Sequence, residues 1–364
     1  MSRTTPSAGR RAVLAGLAAL PVAACGPRSK SQDRGRPADP APLKSFAPFP
    51  IGCAVTLERL NDPAYAALLT RHISQLTAEW EMKMEYVLKD DGTFQFDRPD
   101  AIAGFAQDHG LRLFGHTLVW YAQNPEAFAR IDGQGKPFAD AYRSYILAVA
   151  GRYRGRAAGW DVVNEAVAED GDGLRDCLWS RNLGQTDYMR RAFDHAREAD
   201  PDAVLLINDY NLESRPAKRA TFMRLVETLL KAGAPVSGIG TQSHISVDLP
   251  AGAVTRAIQD LASLGLPIHV SELDISINRG RGLLSSPDDL EARQVRLAHE
   301  IAEAFTALPR AQRFAFTVWG LRDKDSWLRG DKENPRPPWD TPLLFDDDGD
   351  AKPVFTALAN GFRG

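Results

Sequence analysis

Cysteine is scarce in this chain, with three in 364 residues. That is too few for a disulfide framework, so the fold must rest on a hydrophobic core. Cys53 and Cys177 are open either to pairing or to standing as two separate buried thiols, and no Cys/His cluster has metal-ligand spacing. No run of Lys or Arg appears outside the N-terminus and the net charge is only −3, so neither nucleic acid nor an anionic membrane surface is indicated as partner. No G-x-G-x-x-G follows a first strand, which disfavours a dinucleotide fold. No repeat and no second linker divides the chain beyond residue 49.

What the sequence does hold begins with an export signal. "GRRAVLAGLAALPVAACG" has a basic start at Arg10 and Arg11, a short apolar stretch from Ala12 to Leu20 and small residues before Cys25. The apolar stretch is too short to span a bilayer. The Arg pair is similar to a twin-arginine signal, and the residues before Cys25 resemble a lipobox, which implies cleavage there and lipidation of the Cys25 thiol. Residues 1–24 are therefore expected to be a signal peptide. Residues 25–48, rich in Pro, charge and small side chains, are expected to form a flexible tether. The expected location is the cell envelope or the exterior, with membrane contact only through the lipid.

From residue 49 to 364, short β-like runs alternate with longer helical ones. The composition, 44% hydrophobic and 25% charged, suits a globular domain with a sizeable core. Strands are predicted at 49–55, 73–77, 111–120, 157–165, 203–209, 236–244, 267–275 and 313–320. Several are apolar almost throughout, as expected of parallel strands buried on both faces. Eight strand–helix units predict a single closed (β/α)8 barrel rather than an open sheet.

Chemistry in such barrels sits at the C-terminal ends of the strands. There the second strand offers Glu79, Trp80 and Lys83, and the third offers His116, Trp120 and Gln123. The fourth ends in Asn164 and Glu165, the sixth in Gln242 and His244, the seventh in Glu272 and Asp274, and the eighth in Trp319 with Trp327 close behind. Glu165 and Glu272 directly follow the apolar runs "WDVVN" and "IHVS". Two carboxyls flanking a bond are what glycoside hydrolysis needs, one protonated as acid and one ionised as nucleophile, and different surroundings keep them apart in pKa. His244 is placed to hydrogen-bond a carboxylate, with Asp274 to orient it. The Trp residues offer flat apolar faces for sugar rings, and the amides, Lys83 and His116 offer directional contacts to hydroxyls. A buried ion-pair network is the bland alternative for the Glu pair. It is disfavoured because no Arg sits near either strand end in sequence.

The segments "WDVVNE", "GHTLVW", "IGTQSHI", "VSELD", "FTVWG" and "DKDSW…PLLFD", in this order from about Gly52 to Pro353, together resemble glycoside hydrolase family 10, the retaining endo-β-1,4-xylanases. The resemblance implies Glu165 as general acid/base, Glu272 as nucleophile and Asn164 on the sugar 2-hydroxyl. His244 backed by Asp274 would tune Glu272, and Gln242 would lie near both carboxyls. His116, Lys83 and Trp120 would bind the sugar at the cleavage point, walled by Trp319 and Trp327. Glu79 and Gln123 would meet the next sugars on the non-reducing side. It implies carboxyls about 5–5.5 Å apart, no metal or cofactor, xylan or xylo-oligosaccharide as partner, and a monomer. Two positions depart from the family pattern: Trp80 stands where Asn is usual, and Tyr121 where His is frequent. An indole donates a single hydrogen bond and accepts none, so Trp80 either reshapes the second sugar site on the non-reducing side or turns inward to pack and leaves that site weaker. A β-glucanase of another barrel family, or an anchored polysaccharide-binding protein without catalysis, are the competing readings.

Overall fold

The computed structural model describes residues 40–278, 285–332 and 337–364. Residues 1–39, which include the expected signal peptide and Cys25, lie outside them. The folded domain starts earlier than residue 49. Within the expected tether, Leu43 is fully buried, its N–H donates to His72 Nδ1 (3.2 Å) and Lys44 Nζ donates to Thr70 O (2.8 Å). Residues 40–48 thus pack onto the domain, with Leu43 buried and two polar partners, His72 and the Thr70 carbonyl, supplied by the helix Pro63–His72.

The described strands are β1 (Ile51–Val55), β2 (Gln75–Ala78), β3 (Arg112–Trp120), β4 (Ala157–Asn164), β5 (Val204–Asp209), β6 (Gly238–Thr241), β7 (His244–Ser246), β8 (Ile268–Ser276) and β9 (Arg313–Val318). All pair in parallel in the order β6-β5-β4-β3-β2-β1-β9-β8-β7, and β6 also pairs with β8, which closes the barrel. The single sixth strand expected at 236–244 is β6 and β7, separated by Gln242 and Ser243. Ser243 has a φ of 60°, so the chain kinks where it presents the Gln242 side chain.

Helices cover the outside of the barrel for local reasons. Asp62 caps the helix Pro63–His72, accepting from Ala64 N at 2.9 Å, with Pro63 in the first turn where its missing N–H costs nothing. The helix Pro287–Thr306 buries Leu290, Gln294, Leu297, Ala298, Ile301, Ala302 and Phe305, one stripe at three- and four-residue spacing. Each large apolar side chain on it contributes about 1.5–3 kcal/mol by leaving water. Inside the barrel, Phe114, His269 and Phe314 pack edge to face at 4.6–5.7 Å, plugging the lower end below the functional residues. Cys53 and Cys177 are both buried and unbridged, which settles the pairing left open by the sequence.

Register shifts interrupt the pairing between His116 and Val119 of β3, Asp161 and Val163 of β4, and Val270 and Leu273 of β8. Such bulges turn side chains that strict alternation would send elsewhere. Here they fall where the strands approach the barrel mouth.

Candidate active site

Glu165 follows β4 directly, with a φ of 60°. A left-handed backbone at a non-glycine residue costs about 1–3 kcal/mol and persists only where neighbours hold it. Its N–H donates to Asn208 O (2.8 Å). Its carboxylate meets three donors: Trp120 Nε1 at 2.8 Å on Oε2, and Gln242 Nε2 at 2.9 Å and Asn164 Nδ2 at 3.1 Å on Oε1.

Glu272 lies within β8. Its Oε1 accepts from Asn208 Nδ2 at 2.8 Å, and the same nitrogen reaches Asn164 Oδ1 at 2.9 Å. Ser271 Oγ donates to Asn208 Oδ1 (2.8 Å), which fixes the amide so that its two hydrogens face the site. Gly240 is what makes room: a Cβ there would overlap the Asn208 carboxamide. The chain Gln242–Asn164–Asn208 therefore links the two carboxyls through amides alone.

The charges around Glu272 set its state. Burial pushes its carboxyl up, but the charge at His116, the hydrogen bond and charge of His244, and Lys83 outweigh burial and hold it down at about 2. His244 places Nδ1 2.8 Å from Asp274 Oδ2 and Nε2 3.4 Å from Glu272 Oε2. Burial lowers its pKa, yet these two carboxylates lift it to about 10. At neutral pH it is an imidazolium donating to both. Asp274 is fixed in turn by Trp327 Nε1 (2.8 Å). Replacing His244 by Asn removes the charge that lowers Glu272 and leaves burial, which raises it. The acid limb of kcat/KM should therefore move to higher pH, at least one unit above that of the parent enzyme, which is a loss of about 1.4 kcal/mol of carboxylate stabilisation. A pH–rate profile of His244→Asn checks this; an unmoved acid limb contradicts it.

The two carboxyls face one cleft of about 760 Å³ at the barrel mouth. Trp80, Lys83, His116, Trp120, Trp319 and Trp327 line one region of it, together with Asn164, Gln242 and His244. His116 is anchored by Asp161, Nδ1 to Oδ2 at 2.8 Å. Lys83 Nζ sits 4.2 Å from the Trp80 ring centre and 4.8 Å from that of Trp120. Burial lowers its pKa and the surrounding carboxylates raise it, burial being the larger effect. Trp80 is half-buried and turned to the cleft, not folded into the core.

Two expected sugar contacts do not belong to the cleft wall. Glu79 is buried and bound to Arg59, whose Nη2 also holds Asp325 O (2.6 Å). Burial raises the Glu79 pKa, and the Arg59 guanidinium offsets that only in part. Gln123 is half-buried, with a φ of 53°, and lies off the cleft lining. The expectation that no Arg stands near either strand end fails at the fourth, where Arg175 donates Nε to the Glu165 carbonyl at 3.2 Å. Among the described residues no Arg pairs with either side chain: Glu165 accepts from amides and an indole, while Glu272 accepts from the Asn208 amide and forms its ion pair with the His244 imidazolium.

The second region of the cleft was not foreseen. Glu169, Arg175, Tyr210, Asn211 and Arg215 line it, beyond Tyr121. Tyr210 and its neighbour Asn208 end the fifth strand, so the strand-end rule applied to "LLINDY" would have found them. Arg175 comes from the loop after β4, where no periodic pattern marks it.

Two carboxyls in one groove, one held ionised by its neighbours and the other met by neutral donors, on a closed (β/α)8 barrel, define a class: the barrel glycoside hydrolases. Comparison then places the chain within that class. The model of Glycosyl hydrolase family 10 matches residues 43–361, and the chain belongs to that family. It is 37% identical over 325 residues to an endo-1,4-beta-xylanase of Geobacillus stearothermophilus, covering 86% of this chain and 95% of the relative. It is also 37% identical over 325 residues to the Exoglucanase XynX of Acetivibrio thermocellus. There the match covers 86% of this chain but 28% of the relative, so the chain spans about a quarter of that longer protein. For Endo-1,4-beta-xylanase A of Thermoanaerobacterium saccharolyticum the share is 27%. Among solved structures, a GH10 protein from Paenibacillus barcinonensis matches with a TM-score of 0.81 and 33% identity, over 88% of this chain and 97% of that one.

Proposed function

We propose that this chain is a retaining endo-β-1,4-xylanase that cuts internal links of xylan or xylo-oligosaccharides. The observation that carries the reading is the pair Glu165 and Glu272 in one cleft, joined by the Gln242–Asn164–Asn208 amides and set in unlike surroundings. Glu272, ionised at all but strongly acid pH, attacks the anomeric carbon while Glu165 gives its proton to the departing glycosidic oxygen. The sugar is left as an ester on Glu272. Glu165, now a carboxylate, takes a proton from water, and the hydroxide so generated attacks the same carbon and frees Glu272. Two inversions give net retention.

The two regions of the cleft support one orientation of the substrate. The leaving half of the chain lies on the Glu165 side, in the region of Tyr210, Asn211 and Arg215. The half that becomes bonded to Glu272 lies toward Lys83, Trp80 and the Trp120, Trp319 and Trp327 rings. His116, Lys83 and Gln242 present donors to hydroxyls there, and the indoles present flat faces.

Product analysis tests the reading. New reducing ends should appear from xylan, and mixed oligosaccharides rather than single sugars should accumulate. Release from cellulose instead would make the chain a glucanase, the kind of enzyme that the name of the Acetivibrio relative, Exoglucanase XynX, gives for that protein. No release from either would leave it a binding protein. Trp80 belongs to the same test. Replacing it with Asn removes an aromatic face worth about 0.5–1.5 kcal/mol, or roughly two- to twelvefold in kcat/KM. The Trp80→Asn variant should lose that much on xylotetraose and shift its cutting position. An unchanged cutting pattern with unchanged efficiency would mean that Trp80 does not touch sugar.

A further inference from the structure

Glu165 carries its carboxyl on a backbone that its own side chain does nothing to hold. The three carbonyls that follow are all taken by one residue. Glu165 O accepts from Arg175 Nε (3.2 Å), Ala166 O from the Arg175 backbone N–H (2.8 Å) and Val167 O from Arg175 Nη2 (3.2 Å). The same Nη2 reaches Tyr210 Oη at 3.0 Å, and the guanidinium lies 4.0 Å from the Tyr121 ring centre. The opposite edge of the turn is pinned as well. Val167 N–H donates to Asp209 Oδ2 (3.0 Å), and Asp209 Oδ1 stands 3.0 Å from Lys218 Nζ, with both side chains fully buried. A planar fork can bridge two carbonyls separated by one residue; a single ammonium cannot.

We propose that Arg175 is a positioning residue: by gripping the Glu165 and Val167 carbonyls against the Asp209–Lys218 pair, it keeps the left-handed turn at Glu165 and so aims the carboxyl at the leaving oxygen. The inference rests on the reading of Glu165 as the acid. Arg175 donates no proton to substrate and acts through the backbone. A displaced acid matters in proportion to how much the leaving group needs a proton.

The test is the kcat/KM of Arg175→Met across aryl β-xylobiosides of similar size, from dinitrophenyl to unsubstituted phenyl. The dinitrophenyl compound, which leaves unaided, should react within about threefold of the parent. The phenyl compound should fall about ten- to a hundredfold, the scale on which a small misplacement of a reacting group is felt. The leaving-group dependence thus steepens. A uniform fall across the series would make Arg175 a binding or purely structural residue and overturn the proposal. An unchanged series would overturn it too. A reduced active fraction scales every substrate alike and leaves the slope untouched, so partial misfolding does not imitate the expected result. If Arg175→Met gives no folded protein, Arg175→Lys, which keeps the charge and loses the fork, carries the same prediction. Failure of the parent to cut xylan or any xylobioside would strike the proposed function first, and is read separately in the same assay.

Discussion

Glu272→Ala should lower kcat/KM on xylan by about 10⁵-fold, the scale of loss when a nucleophile acting within a unit is removed. Its position in β8 is set by backbone pairing, so the variant should keep the barrel. What it loses is the one ionised carboxylate that His116, His244 and Lys83 converge upon. The change also takes one of two acceptors from the Asn208 amide and from the His244 imidazolium, which keep Asn164 and Asp274, costing about 1–3 kcal/mol of stability, seen as a lowered Tm. Azide added to the variant with dinitrophenyl xylobioside should enter the vacated space and attack from the same face. The product is then an α-glycosyl azide, formed by a single inversion. Activity within tenfold of the parent would remove Glu272 from the nucleophile's role.

The second large effect belongs to Glu165. Glu165→Ala should lose about 10³–10⁴-fold on xylan, the upper part of the range for general acid–base help. On dinitrophenyl xylobioside its kcat/KM should stay near that of the parent, because that group departs without a proton. The intermediate on Glu272 then waits for water with no base to activate it, so a burst of phenol should precede a slow steady rate. Azide needs no base and should relieve that block, giving the β-glycosyl azide by two inversions. The two variants must therefore yield opposite anomers. The same anomer from both would show that the roles of acid and nucleophile are not divided between Glu165 and Glu272. The structural difference behind the roles is visible around each group. Glu165 is surrounded by Trp120, Gln242 and Asn164, all neutral donors, whereas Glu272 faces His244, Lys83 and His116.

Much of the fold and of the cleft lining was legible in the sequence. The alternation of apolar runs with helical ones gave the barrel, because parallel strands covered on both faces have no other way to read. Polar residues at strand ends gave Glu165, Glu272, Asn164, Gln242 and His244, since a barrel brings strand ends together whatever the loops do. The misses have physical reasons. Glu79 is at a strand end but meets Arg59, a residue about twenty positions away that strand spacing does not bring to mind. Asn208 joins the two carboxyls because Gly240, on the neighbouring strand, has no side chain, a complementarity that only the register between β5 and β6 reveals. Arg175 grips Glu165 from within a loop whose path is set by tertiary contacts, beyond the reach of any periodicity. Residues 40–48 pack on the domain although their Pro and Lys content reads as tether, because one buried side chain, Leu43, leaves little trace in composition.

The central claim is that Glu272 forms a bond to the sugar. A 2-deoxy-2-fluoro-β-xylobioside with a dinitrophenyl leaving group tests it most directly, because the fluorine slows both steps while the good leaving group still lets the first proceed. Incubation with the parent enzyme should add the mass of one fluoroxylobiosyl group to the intact protein, and peptide mapping should place it on Glu272. The added mass should disappear as activity returns on transfer to xylobiose. Turnover of the parent substrates without any trapped adduct, together with release of the inverted anomer, or an adduct on a residue other than Glu272, would contradict the account.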